Sequence, residues 1–326
     1  MEVRLAQKDD TMEIRLAEKG DLEALKEIWA LCFGDPEFYI DMYFTTRDWT
    51  SETAVLLTQG KPVSMLAMIP VRMIDADGSV QNAAMIFAVA THPAYQKLGY
   101  ADQLLEFANR HLAEKKTTMS LLVPAEEDLF RFYGKRGYRN SFFIREVQLK
   151  YSELAGMEKS AVGAGFSAAE GTQDPNGKTV MIDPIEPAEY NRIRKSRLTG
   201  CEWLDYRDGE ILFEKQTAMM FGTDIFSVRF EQSPEGCFYA ERASEDLVVV
   251  KELLVPEESL TTVLSSLAEL MPAKEYIIRM PIQCGAALGG SIRPFGMLRE
   301  NRSDGSPAEH EAGISARRSY LGIAYD

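Results

Sequence analysis

The sequence predicts an α/β (α+β) chain in which one arrangement of helices and strands is built twice. Three observations predict it. The uncharged, mostly apolar run Ala83 to Ala90 hands over to a stretch whose apolar residues Leu104, Leu105, Ala108 and Leu112 recur at helical spacing. The order helix, helix, three antiparallel strands, strand, helix, strand, helix, strand, strand over residues 12–151 restarts near residue 179, after a Gly-, Ala- and Ser-rich stretch over 152–178 that reads as a linker or exposed loop. With 326 residues, 45% hydrophobic and 26% charged, the chain suits two domains or one large one and neither disorder nor a coiled coil.

Charge and cysteine usage exclude several classes of function. Lys and Arg number 36 against 50 Asp and Glu, a formal charge of −14, which disfavours nonspecific binding to nucleic acid or an anionic membrane. The run 83–90 is too short to span a bilayer. Cys32, Cys201, Cys237 and Cys284 are scattered without a Cys-x-x-Cys pair, so a reduced chain with no metal site is expected. The N-terminus lacks the apolar core of a signal peptide, and a cytoplasmic location is expected.

Met1 to Asp10 is nearly repeated by Met12 to Asp21. The second copy runs into a helix with Leu22, Leu25, Ile28, Trp29 and Phe33 on one stripe, so Met12 is expected to open the fold. The first copy is an edge strand, a loose arm or an early-start artefact. Pro36 to Phe44 reads as a second helix whose Phe38, Tyr39, Tyr43 and Phe44 pack in a core or line a pocket. Thr53–Thr58, Pro62–Pro70 and Arg72–Asp75 read as strands separated by turn signals at Gln59-Gly60 and Asp77-Gly78. Thr118 to Val123 is a further strand, Glu126-Glu127-Asp128 opens a helix with acids where its dipole favours them, and two strands within 139–151 close the unit.

The handover after Thr91 is suited to an anion. A helix N-terminus carries unpartnered N–H groups, Gly99 lets a ligand approach the backbone, and Lys97 and Gln96 add donors. Gln96-x-x-Gly99-x-Ala101 resembles the coenzyme A loop of the GNAT acetyltransferase superfamily, Gln/Arg-x-x-Gly-x-Gly/Ala, although a plain strand-turn-helix connection reads the same way. Phe132-Tyr133-x-Lys135-x-Gly137-Tyr138, one strand and one helix later, resembles that superfamily's Phe-Tyr-x-Lys-x-Gly-Phe/Tyr motif.

The resemblance implies a GNAT domain over 12–151. It implies that acetyl-CoA binds along Val89, Ala90 and Thr91 and on Gln96, Lys97, Leu98, Gly99, Tyr100 and Ala101, and that Tyr133 is the general acid protonating the leaving thiolate. Helical spacing alone leaves Tyr133 free to face a core or a cleft. Glu37, Asp41, Glu52, Glu126 and Asp128 are available as bases without a motif to choose among them, and His92 reads as a loop residue near the site.

Over 179–326 the elements return: helices Pro187–Leu198, Glu210–Phe221 and Ser259–Met271, strands Ile225–Phe230, Cys237–Arg242, Leu247–Val255 and Glu275–Met280, and closing strands at Phe295–Arg299 and Tyr320–Ala324. Here the handover reads Val255-Pro256-Glu257-Glu258-Ser259, with acids in place of glycine, so this unit is expected to be degenerate, to bind no coenzyme A and to wall the substrate cleft. A working unit followed by a degenerate one resembles the enhanced-intracellular-survival (Eis) type of acetyltransferase, without the third, sterol-carrier-like domain of that type. The implied function is acetyl-CoA-dependent N-acetylation of a small-molecule or peptide amine by direct attack. Another acyl donor or acceptor, and a non-enzymatic acyl-CoA-binding regulator, are the alternatives, and a homo-oligomer is left open.

Overall fold

The computed structural model describes residues 12–157, 163–164, 172–173, 179–230, 233–301 and 319–324. The Met1–Asp10 copy, His310 and most of the expected linker lie outside these residues. The first half runs β1 (Met12–Leu16), α1 (Leu22–Phe33), α2 (Glu37–Thr46), α3 (Trp49–Glu52), β2 (Thr53–Thr58), β3 (Lys61–Ile74), β4 (Val80–Thr91), α4 (Tyr100–Glu114), β5 (Met119–Leu122), α5 (Glu127–Gly134) and β6 (Arg139–Lys150). It continues through α6 (Tyr151–Gly156), β7 (Gly163–Ala164), β8 (Thr172–Gln173), β9 (Thr179–Pro184), α7 (Pro187–Leu198), β10 (Trp203–Asp205) and α8 (Asp208–Met220). Last come β11 (Ile225–Phe230), β12 (Ser233–Ser244), β13 (Leu247–Leu254), α9 (Leu260–Leu270), β14 (Glu275–Met280) and β15 (Ser291–Glu300).

Met12 opens β1, which pairs antiparallel with β2 from Met12↔Thr58 to Leu16↔Ala54. Pro62–Pro70 and Arg72–Asp75, read as separate strands, are one strand β3. Its partner on one side changes from β2, which reaches Ala67, to β10, which begins at Arg72. Pro70 falls in the gap between them, where a proline needs no ladder partner on that side. The start of the stretch expected as linker, 152–156, belongs to the helix α6, whose Leu154 is fully buried in the second half's core.

The largest departure concerns how each half closes. Arg139–Lys150 holds no internal turn residue and forms one strand, not two. β15 does not close the second half alone. It inserts between β5 and β6, antiparallel to both, from Met297↔Leu122 to Glu300↔Met119 and from Ser291↔Glu146 to Leu298↔Arg139. β6 in turn pairs with β14 on its other side. The two expected sheets are therefore one, ordered β1-β2-β3-β4-β5-β15-β6-β14-β13-β12-β11-β9-β7, with β4/β5 and β13/β14 parallel at corresponding places. Glu146 pins the seam, accepting from Arg279 at 3.2 Å and Arg293 at 2.6 Å. Burial works to raise its pKa, but the two guanidiniums hold it below the usual carboxylate value.

Tyr320–Ala324, expected as a strand, is instead a buried segment joined to the fold by a single bridge from Tyr320 to Trp203, by a second from the preceding Ser319 to Phe142, and by side chains. Arg194, fully buried, donates Nη1 to the Leu204 carbonyl at 2.6 Å and Nη2 to the Leu321 carbonyl at 3.1 Å, while its Nε sits 2.9 Å from Glu252. Tyr190 donates to the same carboxylate at 2.9 Å. Among the described residues no helix is long and apolar enough to cross a membrane.

Removing one partner of a fully buried ion pair leaves a charge uncompensated. Glu252→Gln is expected to lower the unfolding free energy by about 3–5 kcal/mol in urea denaturation. A loss below about 1 kcal/mol, the worth of a surface pair, would contradict this account of the buried pair.

Candidate active site

β4 and β5 pair over only three positions, Ala83↔Met119 to Met85↔Leu121. Beyond Met85 they part. Ala88 holds φ at +48°, and the β3–β4 register shifts between Met65/Ala67, so β4 bulges and turns away from its neighbour. The gap opens into a cleft of about 460 Å³. The first half lines it with Trp29, Tyr39, Phe87, Val89, Val123 and Tyr133, and the second half adds Glu214, Thr217, Phe221, Glu241 and Lys251.

The placement of α8 over the cleft follows from packing and charge. Phe213 lies edge-on to Tyr39 at 5.5 Å and to Tyr43 at 6.1 Å. Arg47 reaches Glu52 at 3.0 Å on its own half and Glu210 on α8 at 3.4 Å, all three side chains being nearly closed to solvent. The four aromatics of α2 divide: Tyr39 lines the cleft, Tyr43 and Phe44 are core, and Phe38 is exposed.

Tyr133 faces both ways. It is 8% exposed, with its ring edge-on to Phe132 at 5.1 Å and Tyr138 at 5.8 Å, yet it borders the cleft. Among the described residues its hydroxyl has no hydrogen-bond partner. Burial, with a smaller contribution from Tyr138, raises its pKa above that of an ordinary phenol. The rest of the motif holds the helix end. Gly137 at φ +85° turns the chain so that the Tyr138 amide closes on the Tyr133 carbonyl at 3.2 Å. Arg136 covers the Phe132 ring at 3.4 Å and pairs with Asp102 in the first turn of α4. Tyr138 hydrogen-bonds Ser120 at 3.1 Å, and burial pushes its pKa up to about 12.

The loop between β4 and α4 presents its backbone. Lys97 at φ +64° and Gly99 at φ +80° are both left-handed, and Leu98 between them is exposed. Among the described residues the amides of Lys97 to Asp102 have no backbone acceptor, the condition for an anion at a helix N-terminus. Tyr100 and Ala101 form the first turn of α4, with Gly99 as its cap. Gln96, exposed, donates back to the Thr91 carbonyl at 3.1 Å, which Cys32 Sγ also approaches at 3.3 Å. Of the strand residues, Val89 borders the cleft. Ala90 and Thr91 pair with β3, and Ser64 Oγ donates to the Ala90 carbonyl at 2.8 Å.

None of Glu37, Asp41, Glu52, Glu126 and Asp128 lines the cleft. Asp41 is engaged by Lys26 at 2.7 Å, Glu52 by Arg47, and Asp128 by Arg131. His92 is a structural loop residue, its Nδ1 accepting from the Ala94 amide at 3.2 Å. The acids that line the cleft are Asp35, Glu214 and Glu241. Two of them lie far along the chain from either motif, so no local pattern marks them. Among the described residues no cluster of three or more His, Cys, Asp or Glu is arranged to hold a metal ion.

Residues 13–140 match the family model described as acetyltransferase (GNAT) domain. No curated protein matches the chain. Among solved structures, a GCN5-related N-acetyltransferase from Kribbella flavida is similar at 15% identity over 89% of this chain and 71% of its own, with a TM-score of 0.64. A probable N-acyltransferase from Enterococcus faecalis is similar at 13% identity, 90% and 74% coverage, TM-score 0.68. Eis1 from Mycobacterium abscessus is similar at 12% identity, 89% and 73% coverage, TM-score 0.61. At these identities the likeness is one of fold.

The strained residue that opens the cleft can be tested directly. Ala88→Val, which puts a branched Cβ in a left-handed conformation, is expected to destabilise by about 1–2 kcal/mol in urea denaturation, whereas Ala88→Gly is neutral or stabilising. Equal stability of the two variants would remove strain at residue 88 as the cause of the splay.

Proposed function

With a GNAT acetyltransferase domain over residues 13–140 as the premise, we propose that this chain transfers an acetyl group from acetyl-CoA to an amine acceptor by direct attack. The observation that carries the reading is Tyr133, a mostly buried side chain bordering the same cleft as the parted end of β4, its hydroxyl without a hydrogen-bond partner among the described residues. The loop fits the donor, because the open amides of Lys97 to Asp102, with Leu98, Gly99, Tyr100 and Ala101 among them, suit a pyrophosphate, and the Lys97 side chain adds charge. Val89, Ala90 and Thr91 lead the pantetheine arm toward the cleft. Acetyl-CoA supplies the acetyl group as a thioester.

The residues of the chain then move two protons. The acceptor, having lost the extra proton of its ammonium form to solvent, attacks as the neutral amine; its nitrogen gives one proton to a carboxylate of the cleft wall and forms the new C–N bond as the C–S bond breaks. Tyr133 gives one to the departing sulfur. A phenol suits this task at neutral pH because burial disfavours the phenolate, so Tyr133 keeps its proton. No cysteine lies where a covalent acyl carrier is required: Cys32, the nearest to the loop, has its thiol pKa raised by burial and is directed at the Thr91 carbonyl.

We assign residues 12–151 as the donor-binding unit and 179–326 as a degenerate unit of the same kind, joined by 152–178. At the corresponding handover in the second unit the glycine loop is replaced by Glu257 and Glu258, and Glu257 accepts from the Gly285 amide at 2.8 Å, so this unit puts acids where the first has open amides. One acetyl-CoA per chain is the expected stoichiometry. The acceptor is a small molecule or a peptide amine, and the cytoplasm is the expected compartment.

Tyr133→Phe is expected to lower turnover about 10²–10⁴-fold, the range for loss of general acid catalysis, with calorimetric affinity for acetyl-CoA unchanged. Unchanged turnover would remove Tyr133 from the mechanism. Because its pKa is raised, the acidic form persists through neutral pH, and any alkaline fall in kcat due to Tyr133 lies above about pH 10, the ordinary phenol value. Gly99→Glu places a carboxylate against the pyrophosphate and is expected to abolish acetyl-CoA binding, whereas Gly99→Ala, which carries the same left-handed strain at φ +80° without the charge, keeps measurable affinity; retained affinity in Gly99→Glu would refute the loop assignment.

A further inference from the structure

The acceptor side of the cleft has a defined chemistry. Asp35, Glu214 and Glu241 face it with Lys251 as the basic residue among its described lining, so carboxylates outnumber cations. Glu214 is 4% exposed, and Glu241 takes Lys251 at 3.1 Å and the Tyr239 hydroxyl. Asp35 accepts from the Trp29 indole at 2.7 Å. The Tyr39 phenol lies in the field of all three acids: burial, then Glu214, Asp35 and Glu241, push its pKa up. All three acids line the one cleft that Tyr39 also lines. Carboxylates held out of water favour an incoming cation.

The remaining described lining is largely apolar, aromatic and aliphatic side chains together, with Thr217 and the tyrosines as its hydroxyl-bearing residues. Trp29 lies 5.5 Å from Phe87 and 6.4 Å from Tyr39, both edge-on, and Phe33 and Phe221 border the cleft while remaining substantially exposed. Ring faces of this kind offer cation–π and apolar contact but no partners for hydroxyl groups, and a buried hydroxyl without a partner is costly. Tyr133, unpartnered among the described residues, borders the same cleft, and in the acetyl-transfer reading it marks where the departing sulfur lies.

We infer that the acceptor is a primary amine carried on an apolar, ring-sized body, with its ammonium recognised by Glu214 and Glu241 of the second half. This deepens the acetyl-transfer reading and rests on it. Glu214 and Glu241 are specificity residues: they select the positive charge, and the aromatic walls select what carries it. An acceptor bearing its own carboxylate beside the amine is repelled, and one covered in hydroxyls loses their hydrogen bonds on entry.

The experiment measures binding and transfer separately on the full chain, with three probes. 2-Phenylethylamine carries the amine and the ring, phenylalanine adds a carboxylate, and glucosamine replaces the ring with hydroxyls. Calorimetric titration is expected to give the first at least about tenfold tighter binding than either of the others. Transfer from acetyl-CoA should follow the same order in kcat/KM. Glu214→Gln and Glu241→Gln are each expected to raise the KM for 2-phenylethylamine about ten- to hundredfold, the worth of a charge-assisted hydrogen bond, with acetyl-CoA affinity unchanged. Equal or tighter binding of glucosamine or phenylalanine would overturn the inference, as would an unchanged KM in both variants. Acetyl-CoA binding without binding of 2-phenylethylamine would overturn it while leaving the transfer reading in place. Amine binding without acetyl-CoA binding would leave the cation site and remove the reaction.

Discussion

A strand in the middle of a sheet needs a hydrogen-bonding neighbour on each side, and for β5 that neighbour comes from the far end of the chain. β5 is held by β4 on one side over three residues only, so most of its ladder is made with β15. β15 also holds β6, and β6 holds β14. Each half thus supplies a strand the other requires, and the two parallel pairs, β4/β5 and β13/β14, are fixed within one continuous sheet. The cleft inherits this rigidity, because its first-half lining and its acidic second-half lining are carried on strands and helices tied to the same ladder.

The site depends on two local departures from regular structure that the surrounding packing sustains. Ala88 adopts a conformation that a side-chain-bearing residue disfavours, and its reward is a β4 that leaves β5 and exposes a cleft. Tyr133 keeps a hydroxyl unpartnered among the described residues at a nearly buried position. The first costs free energy in the protein alone, and the second leaves a phenol open to the cleft. The compensation is spread elsewhere: the Arg194–Glu252 pair with its carbonyl partners, the Arg47–Glu52–Glu210 group between the halves, and the apolar cores on both faces of the sheet.

The local features were legible in the sequence because local chemistry determines them. The helix stripe from Leu22 to Phe33, the Gln59-Gly60 turn, the acids opening α5 and the glycine at the start of α4 all act within a few residues of themselves. The family motifs were legible for the same reason, since Gly99 and Gly137 each serve a left-handed turn in place. What escaped was decided at long range. The pattern of Ser291–Glu300 says that it is a strand but not which edge it meets, and β5 lies about 170 residues earlier. Trp203–Asp205 is three residues that become a strand only because β3 outlasts β2. Asp35, Glu214 and Glu241 carry no signature in sequence, because a carboxylate on a solvated helix and one on a cleft wall are written with the same letter.

The exchange of β6 and β15 also governs when the protein can first exist. As the chain leaves the ribosome, the residues matching the GNAT domain model are complete before Lys150, yet the strand that belongs beside β5 starts only at Ser291. Synthesis at about 5–20 residues per second separates the two by roughly 7–30 s. Throughout that interval the free edge of β5 and the apolar face of β6 are exposed, and they are the kind of surface on which nascent chains pair wrongly. The fold therefore makes the amino-terminal half a client of whatever shields nascent strands in the cell, and ties its yield to the pace at which the carboxy-terminal half is translated.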